Sequence, residues 1–210
     1  MDYGVPEGRM RARNLELERK IREKTLELLM VKEPEEIGMR DIAAATGVTA
    51  TAIYYYYADK ERLLEAVKKD CMATMDAFIA SRMGALSDSL GTLRGGLAAF
   101  RDWAFANPRI ALLVMNRFTP NVNAGPEEMA EYYRSTFFAR DAIAREVAAG
   151  KASSDDPLLD ASLAISAMWG AIESILRFRT VPEYWERGVE FTDAMIDVCC
   201  ARLMRKGRDK

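Results

Sequence analysis

The stretch MRDIAAATGVTATAIYYYYADKERLL, residues 39–64, decides the fold of the N-terminal part of the chain. Arg40 to Thr46 predicts a short helix with one apolar face. Gly47 and Val48 predict a turn, because glycine adopts left-handed backbone angles at no steric cost. Thr49 predicts the N-cap of a second short helix, since its hydroxyl can accept a hydrogen bond from a free N–H group. Together these elements predict a helix-turn-helix unit.

Four consecutive tyrosines, residues 54–57, end the second short helix. A helix turns about 100° per residue, so four neighbours point to all its faces and cannot share one packing role. Asp59 follows and predicts the N-cap of a further helix, with Lys60 and Glu61 in its first turn. The tyrosine run therefore predicts a surface that is partly buried and partly available to a partner.

The rest of the chain predicts an all-α protein of about nine helices. Residues 1–13 are rich in Gly, Pro and charge and predict a flexible arm. Apolar residues recur three or four positions apart in the other segments, and no alternating pattern predicts a strand. Pro and Gly divide the helical segments, which are 14–32, 40–46, 49–57, 60–78, 93–106, 109–117, 126–149, 157–178 and 182 onward.

The composition argues against several classes of protein. The formal net charge is −2 and the pI about 5.5, so nucleic-acid binding would need a local basic face. The sequence has no histidine, the commonest metal ligand and general base. Its three cysteines, Cys71, Cys199 and Cys200, are too few for a disulfide framework or a zinc site. We expect a cytoplasmic protein without catalytic residues, metal or cofactor, and no membrane-spanning segment.

Residues 15–65 resemble the DNA-binding domain of the TetR family of bacterial transcription regulators. The resemblance rests on the helix LERKIREKTLELLM (17–30), the stretch quoted above, the aromatic cluster that closes its second helix, and Lys60-Glu61. It implies a DNA-binding domain over residues 14–62 and an effector-binding and dimerisation domain over residues 63–210. It also implies a homodimer that binds a double-stranded DNA operator.

The resemblance assigns a role to each residue of the predicted recognition surface. Tyr54 and Tyr55 would face the DNA, Tyr56 and Lys60 would contact phosphates, and Tyr57 would turn inward. Arg40 would reach a base edge or a phosphate, and Thr49, Ala50 and Thr51 would lie at the base-reading end of the recognition helix. Many family members have Lys-Gly where this chain has Ala50-Thr51, a pair that suits thymine methyl groups better than guanine.

A second source of positive charge lies before the helix-turn-helix. Residues 8–24 carry seven cationic side chains against three glutamates, a net charge of +4. These cations could follow the DNA backbone or enter the minor groove. They could equally form the solvated face of a helix.

Residues 80–206 contain no specific motif, and the resemblance alone implies effector binding and dimerisation through the last two helices. ASLAISAMWGAIESIL (161–176) has small residues that allow a second helix to approach closely. The candidate residues for a small apolar or amphipathic effector are Trp103, Met115, Tyr133, Phe137, Met168, Trp169 and Glu173. Any of the apolar ones could be ordinary core, and Glu173 could instead form a surface ion pair with Arg177.

These observations predict a ligand-responsive, sequence-specific DNA-binding repressor that an effector releases from a pseudo-palindromic operator. The alternative is a helical protein-interaction module whose aromatic run binds a protein without specific DNA binding. An enzyme would need a pair of carboxylates as its acid and base, and Glu127-Glu128 and Asp155-Asp156 instead indicate helix starts and loops. Cys199 and Cys200 are expected to be buried thiols rather than a redox sensor.

Overall fold

A computed structural model describes residues 7–83, 89–116 and 125–204 of the chain, and every regular element in these ranges is helical. The all-α prediction is therefore confirmed. The ten α-helices are α1 (Glu7–Leu29), α2 (Met39–Thr46), α3 (Ala50–Tyr56), α4 (Lys60–Met83), α5 (Ser89–Ala106), α6 (Pro108–Asn116), α7 (Pro126–Tyr132), α8 (Arg134–Ala148), α9 (Pro157–Leu176) and α10 (Gly188–Met204). Single 3₁₀ turns occupy Pro34–Glu36 and Pro182–Tyr184.

Several helix boundaries differ from the sequence-based ones. α4 extends to Met83 rather than ending at 78, and α5 begins at Ser89 rather than at 93. α1 begins at Glu7, so residues 7–13 are helical, while residues 1–6 of the predicted arm lie outside the described residues. The helix predicted from Pro126 is divided at Tyr133, whose φ of −101° and ψ of 18° depart from helical geometry. Pro182 opens only a 3₁₀ turn, and the last helix begins at Gly188.

The chain divides within α4 into two compact units, Met1–Met72 and Ala73–Lys210. The first unit packs α1 against α2 and α2 against α3. Its core is aliphatic and includes Ile21, Ile37, Ile42, Ile53 and Leu63, none more than 1 % exposed. Burying such side chains contributes about 1.5–3 kcal/mol each, which is how a unit this small orients its short helices.

The second unit is organised around α9, which contacts α5, α6, α8 and α10. Met168 and Ile172 of α9 are fully buried, as is Ile196 of α10. Among the described residues, α9 is long and apolar enough to cross a membrane, with a mean hydropathy of 1.3 and 39 % of the window buried. Core helices of soluble proteins have the same length and composition, and Asp160 of α9 is buried in an ion pair with Arg202 of α10.

Candidate nucleic-acid interface

The turn between α2 and α3 depends on one glycine. Gly47 has a φ of +77°, and its N–H donates to the carbonyl of Ala43 at 2.9 Å. The N–H of Val48 donates to the same carbonyl at 3.0 Å. This pattern of a left-handed residue with a six-to-one hydrogen bond ends a helix abruptly and reverses the chain. The predicted left-handed backbone at Gly47 is confirmed.

Helix α3 has only seven residues and is held at both ends. The Oγ1 of Thr49 accepts a hydrogen bond from the N–H of Ala52 at 3.2 Å, which confirms the predicted N-cap. Ile53 is fully buried and anchors the middle of the helix. A helix of this length is unstable alone, so the cap and the buried anchor fix it on the unit.

The four tyrosines divide between surface and core. Tyr54 is 52 % exposed, Tyr55 is 79 % exposed, and Tyr57 is only 6 % exposed. Tyr56 is half-buried and meets the ring of Tyr55 edge to face, with 5.3 Å between ring centroids. The inward orientation of Tyr57 is confirmed. Two neighbouring phenols thus remain on the outside of α3, where they can donate hydrogen bonds and stack.

Arg22 of α1 holds Tyr57 in place, a role that the sequence did not reveal. Its Nη1 donates to the Tyr57 hydroxyl at 3.1 Å and to Glu18 Oε1 at 3.2 Å, and its Nε donates to Asp70 Oδ2 at 2.6 Å. Burial alone would lower the pKa of Arg22, but the hydrogen bonds with Tyr57 and Asp70 outweigh it and raise the pKa above its usual value. Burial raises the pKa of Tyr57. One guanidinium therefore links α1, the end of α3 and α4.

Lys60 lies at the start of α4 and bonds to backbone carbonyls. Its Nζ donates to Pro34 O at 3.0 Å and to Ile37 O at 3.2 Å. An ammonium has three donors, so one remains for another acceptor. The structure thus gives Lys60 a positioning role, fixing the turn before α2, and its predicted phosphate contact remains a prediction. The predicted N-cap at Asp59 is confirmed, because its Oδ1 accepts from the N–H of Arg62 at 2.7 Å.

The remaining predicted contact residues lie on the same unit. Arg40, Thr49 and Thr51 are exposed and Ala50 is half-buried. Asp41, the neighbour of Arg40, accepts from the N–H of Gly38 at 2.8 Å and so caps α2. Within the ranges that the structure describes, the guanidinium of Arg40 has no hydrogen bond or ion pair and is open to an anion.

Several cations that the sequence places before the helix-turn-helix are paired on α1. Arg19 pairs with Glu23, and Lys24 pairs with Glu27 at 2.7 Å. Arg19 and Lys24 follow the interpretation of a solvated helix face, whereas Arg22 is only 23 % exposed and bonds to Tyr57 and Asp70. The side chains of Arg9, Arg11 and Arg13 are outside the described residues, so their contact with DNA remains a prediction.

The candidate effector residues lie on α5, α6, α8 and α9 and immediately before α8. Trp103 and Met168 are 4 % and 0 % exposed, as expected for core. Trp169 is half-buried, with its ring centroid 5.7 Å from that of Phe100, and Met115 is also half-buried. Tyr133 and Phe137 form a second pair at 6.5 Å. These positions are compatible with a wall of an apolar site, and effector binding by them remains a prediction.

The carboxylate of Glu173 forms ion pairs with two arginines. Its Oε1 lies 2.9 Å from Arg177 Nε and 3.4 Å from Arg179 Nη1. The expected ion pair with Arg177 is confirmed, and it is partly exposed. A cationic effector that used Glu173 would first have to displace these arginines.

The cysteines are protected thiols. Cys71 and Cys200 are buried and Cys199 is half-buried. Burial raises the pKa of all three, and that of Cys71 to about 11. Thiolates, not thiols, bind metals and react with oxidants. No group of three or more Cys, Asp or Glu side chains in the described parts of the chain could hold a metal ion.

Residues 21–67 match the family model described as bacterial regulatory proteins, tetR family. This region contains α2, α3, the tyrosine run, Lys60, and Arg22 with its partner Tyr57. No curated protein matches the chain.

Solved structures match over nearly the whole length. A TetR-family transcriptional regulator from Pectobacterium atrosepticum is 21 % identical, covers 97 % of this chain and 100 % of its own, and has a TM-score of 0.71. The TetR-family regulator PfmR from Thermus thermophilus is 20 % identical over 88 % of this chain and 99 % of its own, at a TM-score of 0.61. A protein of unknown function from a Rhodococcus species is 18 % identical over 90 % of this chain and 96 % of its own, at a TM-score of 0.73. At these identities the likeness establishes the fold.

Proposed function

We propose that this chain, whose residues 21–67 form a TetR-family DNA-binding domain, is a homodimeric, cytoplasmic transcription repressor that a small effector releases from a pseudo-palindromic operator. One observation carries the proposal. Tyr54 and Tyr55 are exposed on a capped, anchored α3, while Tyr57 of the same run is buried. A purely structural tyrosine run would not keep two phenols on the surface of a seven-residue helix.

In this proposal α3 enters the major groove and the surrounding residues hold it there. Thr49, Ala50 and Thr51 read base edges, with their methyl groups against thymine. Tyr54, Tyr55 and Tyr56 contact phosphates and sugars, as does the open guanidinium of Arg40. Phosphate contacts fix position and orientation, and the base contacts specify the sequence.

Uncharged exposed faces on α9 and α10 support dimerisation. Leu159 and Leu163 of α9 are 50 % and 46 % exposed, and Ser166 and Gly170 continue the same face. Val198 of α10 is 65 % exposed, with Ala194 one turn before it. Two such helices from each copy would form an isologous four-helix interface. A dimer would present two α3 helices to successive major grooves, about 34–36 Å apart.

The effector would act by favouring one arrangement of the dimer over another. A ligand releases DNA if it binds the DNA-free arrangement more tightly, and by no other route. The half-buried residues Trp169, Phe137 and Met115 are the side chains we propose for the apolar wall. Helix α4 runs through the division between the two units and is the element through which a change would be passed.

The first test is recovery of DNA from fragmented source genome on the purified protein, at about 150 mM salt to suppress non-specific binding. We expect enrichment of one palindromic site. Absence of enrichment at every salt concentration, from a folded dimer, would overturn the proposal and favour the protein-interaction module.

A pair of variants tests the tyrosine assignment on the recovered site. Tyr55→Phe removes only the hydroxyl, and Tyr55→Ala also removes the ring. We expect affinity to fall about 10- to 100-fold for Tyr55→Phe, since a hydrogen bond to a charged group contributes about 1.5–3 kcal/mol, and further for Tyr55→Ala. Wild-type affinity in both variants would show that Tyr55 does not contact DNA.

A further inference from the structure

Three helices of this chain end with the same backbone motif. In α2, α8 and α9 a residue just after the helix has positive φ, and the next N–H donates to a carbonyl five positions earlier in the chain. The bonds run from Val48 to Ala43, from Lys151 to Glu146 and from Arg179 to Ser174. The residue with positive φ is Gly47 in the first case and Gly150 in the second, but Phe178 in the third.

Phe178 is unusual because the other two helices have glycine at this position. Its φ is +54°, a region that glycine adopts freely and that bulky side chains disfavour. The chain solves the same geometric problem with glycine at Gly47 and Gly150, so an aromatic residue is not required by the backbone. Packing within the chain does not explain it either, because Phe178 is 64 % exposed. Strained residues cluster at functional sites, so the strain at Phe178 indicates a role for its side chain.

Phe178 belongs to an exposed apolar cluster between α9 and α10. Val181 is 55 % exposed and Trp185 is 40 % exposed. The rings of Phe178 and Trp185 meet edge to face at 5.1 Å between centroids. The indole Nε1 of Trp185 donates to Thr180 O at 2.9 Å, which fixes the ring on its own loop. We call Phe178, Val181 and Trp185 the loop cluster.

The size of the loop cluster limits what can bind it. An aromatic side chain offers about 150–250 Å² when fully buried, so these partly exposed residues offer roughly 200–300 Å². A stable interface buries about 800 Å² on each partner, so the loop cluster cannot hold a partner alone. It must extend a larger surface. Helix α9 ends at Leu176, two residues before Phe178, and α10, with Val189 51 % exposed, begins at Gly188, three residues after Trp185.

We propose that the loop cluster packs against a second copy of this chain, extending the α9–α10 interface beyond the ends of those helices. The proposal rests on the homodimer of the proposed function. The loop carries exposed charges of both signs: Arg179 and Arg187, which also pair with Glu173 and Glu190, and the acidic Glu183 and Glu186. Such a rim can pair with its own copy across a two-fold axis. The few residues that dominate the affinity of protein interfaces are enriched in Trp and Tyr, and Trp185 is one of the three residues of the loop cluster.

The test exchanges Phe178 for the residue that the other two helices use. Phe178→Gly removes the ring, which should weaken the dimer. It also relieves the backbone strain, which should leave the monomer as stable as before or more stable. We expect the dissociation constant of the dimer, measured by sedimentation equilibrium on the full chain, to rise at least tenfold. Monomer unfolding by denaturant, measured below the dissociation constant, should need the same or a higher denaturant concentration. Phe178→Asn, which also tolerates positive φ, gives a second variant.

Controls separate this proposal from the one it rests on. Phe138→Ala removes an aromatic that is 47 % exposed on α8, and it should leave the dimer unchanged. A dimer that Leu163→Glu dissociates and Phe178→Gly leaves within twofold would overturn the loop-cluster contact alone. A wild-type chain that is monomeric at about 100 µM would overturn the homodimer and the loop-cluster contact together.

Discussion

At the scale of the residue, Gly47 is the position on which the helix-turn-helix depends. A Cβ placed on Gly47 would meet no atom within 4 Å, so substitution meets no steric clash with a neighbour. The cost is conformational, because a side chain at φ +77° costs about 1–2 kcal/mol. We predict that Gly47→Ala lowers the free energy of unfolding by this amount, measured by chemical denaturation. Gly47→Asn should cost less, because asparagine tolerates the left-handed region. Equal stability of Gly47→Ala and wild type would show that the turn can relax.

Cys71 gives a pH-dependent prediction at the same scale. Burial, with a contribution from Asp70, raises the pKa of its thiol from 9.0 to about 11. The unfolded chain therefore loses this proton at lower pH than the folded chain. The stability that the thiol contributes is complete below pH 9 and is lost as the pH rises to about 11. At most it amounts to about 2–3 kcal/mol.

We predict that the unfolding free energy of wild type falls more steeply between pH 9 and 11 than that of Cys71→Ser. Comparison of the two proteins removes the titration of tyrosines and lysines, which they share. Iodoacetamide should also modify native Cys71 slowly at pH 8, where about 0.1 % is thiolate. Parallel pH profiles, or rapid modification of the native protein, would contradict the prediction.

At the scale of the element, the sequence predicted the turn and the helix caps, but it did not predict contacts between side chains that are far apart in the chain. Gly47, Thr49 and Asp59 act on backbone groups within a few residues, so the sequence identifies the turn and both caps. The inward position of Tyr57 followed from the family resemblance. The Arg22 link did not, because its partners Tyr57 and Asp70 lie 35 and 48 residues away. The break at Tyr133 also has no Gly or Pro to signal it.

Lys60, the first residue of α4, has one role that the structure shows and one that is predicted, and experiment can separate them. Its Nζ fixes the turn of Pro34 and Ile37 in the structure, and the family resemblance adds a DNA phosphate. We predict that Lys60→Ala lowers the unfolding free energy by about 1 kcal/mol, because two carbonyls lose a charged donor. It should weaken binding to operator and unrelated DNA alike, and make the slope of log affinity against log salt shallower by about 0.9.

The control for Lys60 is Arg145→Ala, which removes an exposed cation in the last turn of α8, outside the residues that match the family model. It should change neither stability nor the salt slope. Weaker DNA binding by Lys60→Ala with an unchanged salt slope would rule out the phosphate contact. Lys60 would then act on DNA binding only by positioning the turn before α2.

At the scale of the whole molecule, the chain shares its fold with known regulators, and a shared fold does not determine what a protein binds. Regulators with 20–21 % identity cover nearly all of this chain, so the α5–α10 arrangement is set by helix periodicity rather than by particular side chains. In the proposed function, the few residues that line an effector site, such as Trp169 and Phe137, would select the effector. Sequence reasoning could therefore predict an all-α unit after α4 but not its ligand.

The exposed face of α9 gives the prediction that joins dimerisation to DNA binding. Leu163 is 46 % exposed on a helix whose only charged residues are Asp160 and Glu173. We predict that Leu163→Glu makes the protein monomeric in sedimentation, because an isologous interface would bury two unpaired carboxylates. Affinity for the full palindrome should then fall about 10²- to 10⁴-fold, since the two half-sites are no longer bound as one. Affinity for a single half-site should not change, because α3 is untouched. Phe138→Glu places the same charge on α8 and should remain dimeric. If Leu163→Glu stays dimeric, the interface does not lie on this face of α9. If Leu163→Glu is monomeric but binds the palindrome with wild-type affinity, operator binding does not require the dimer.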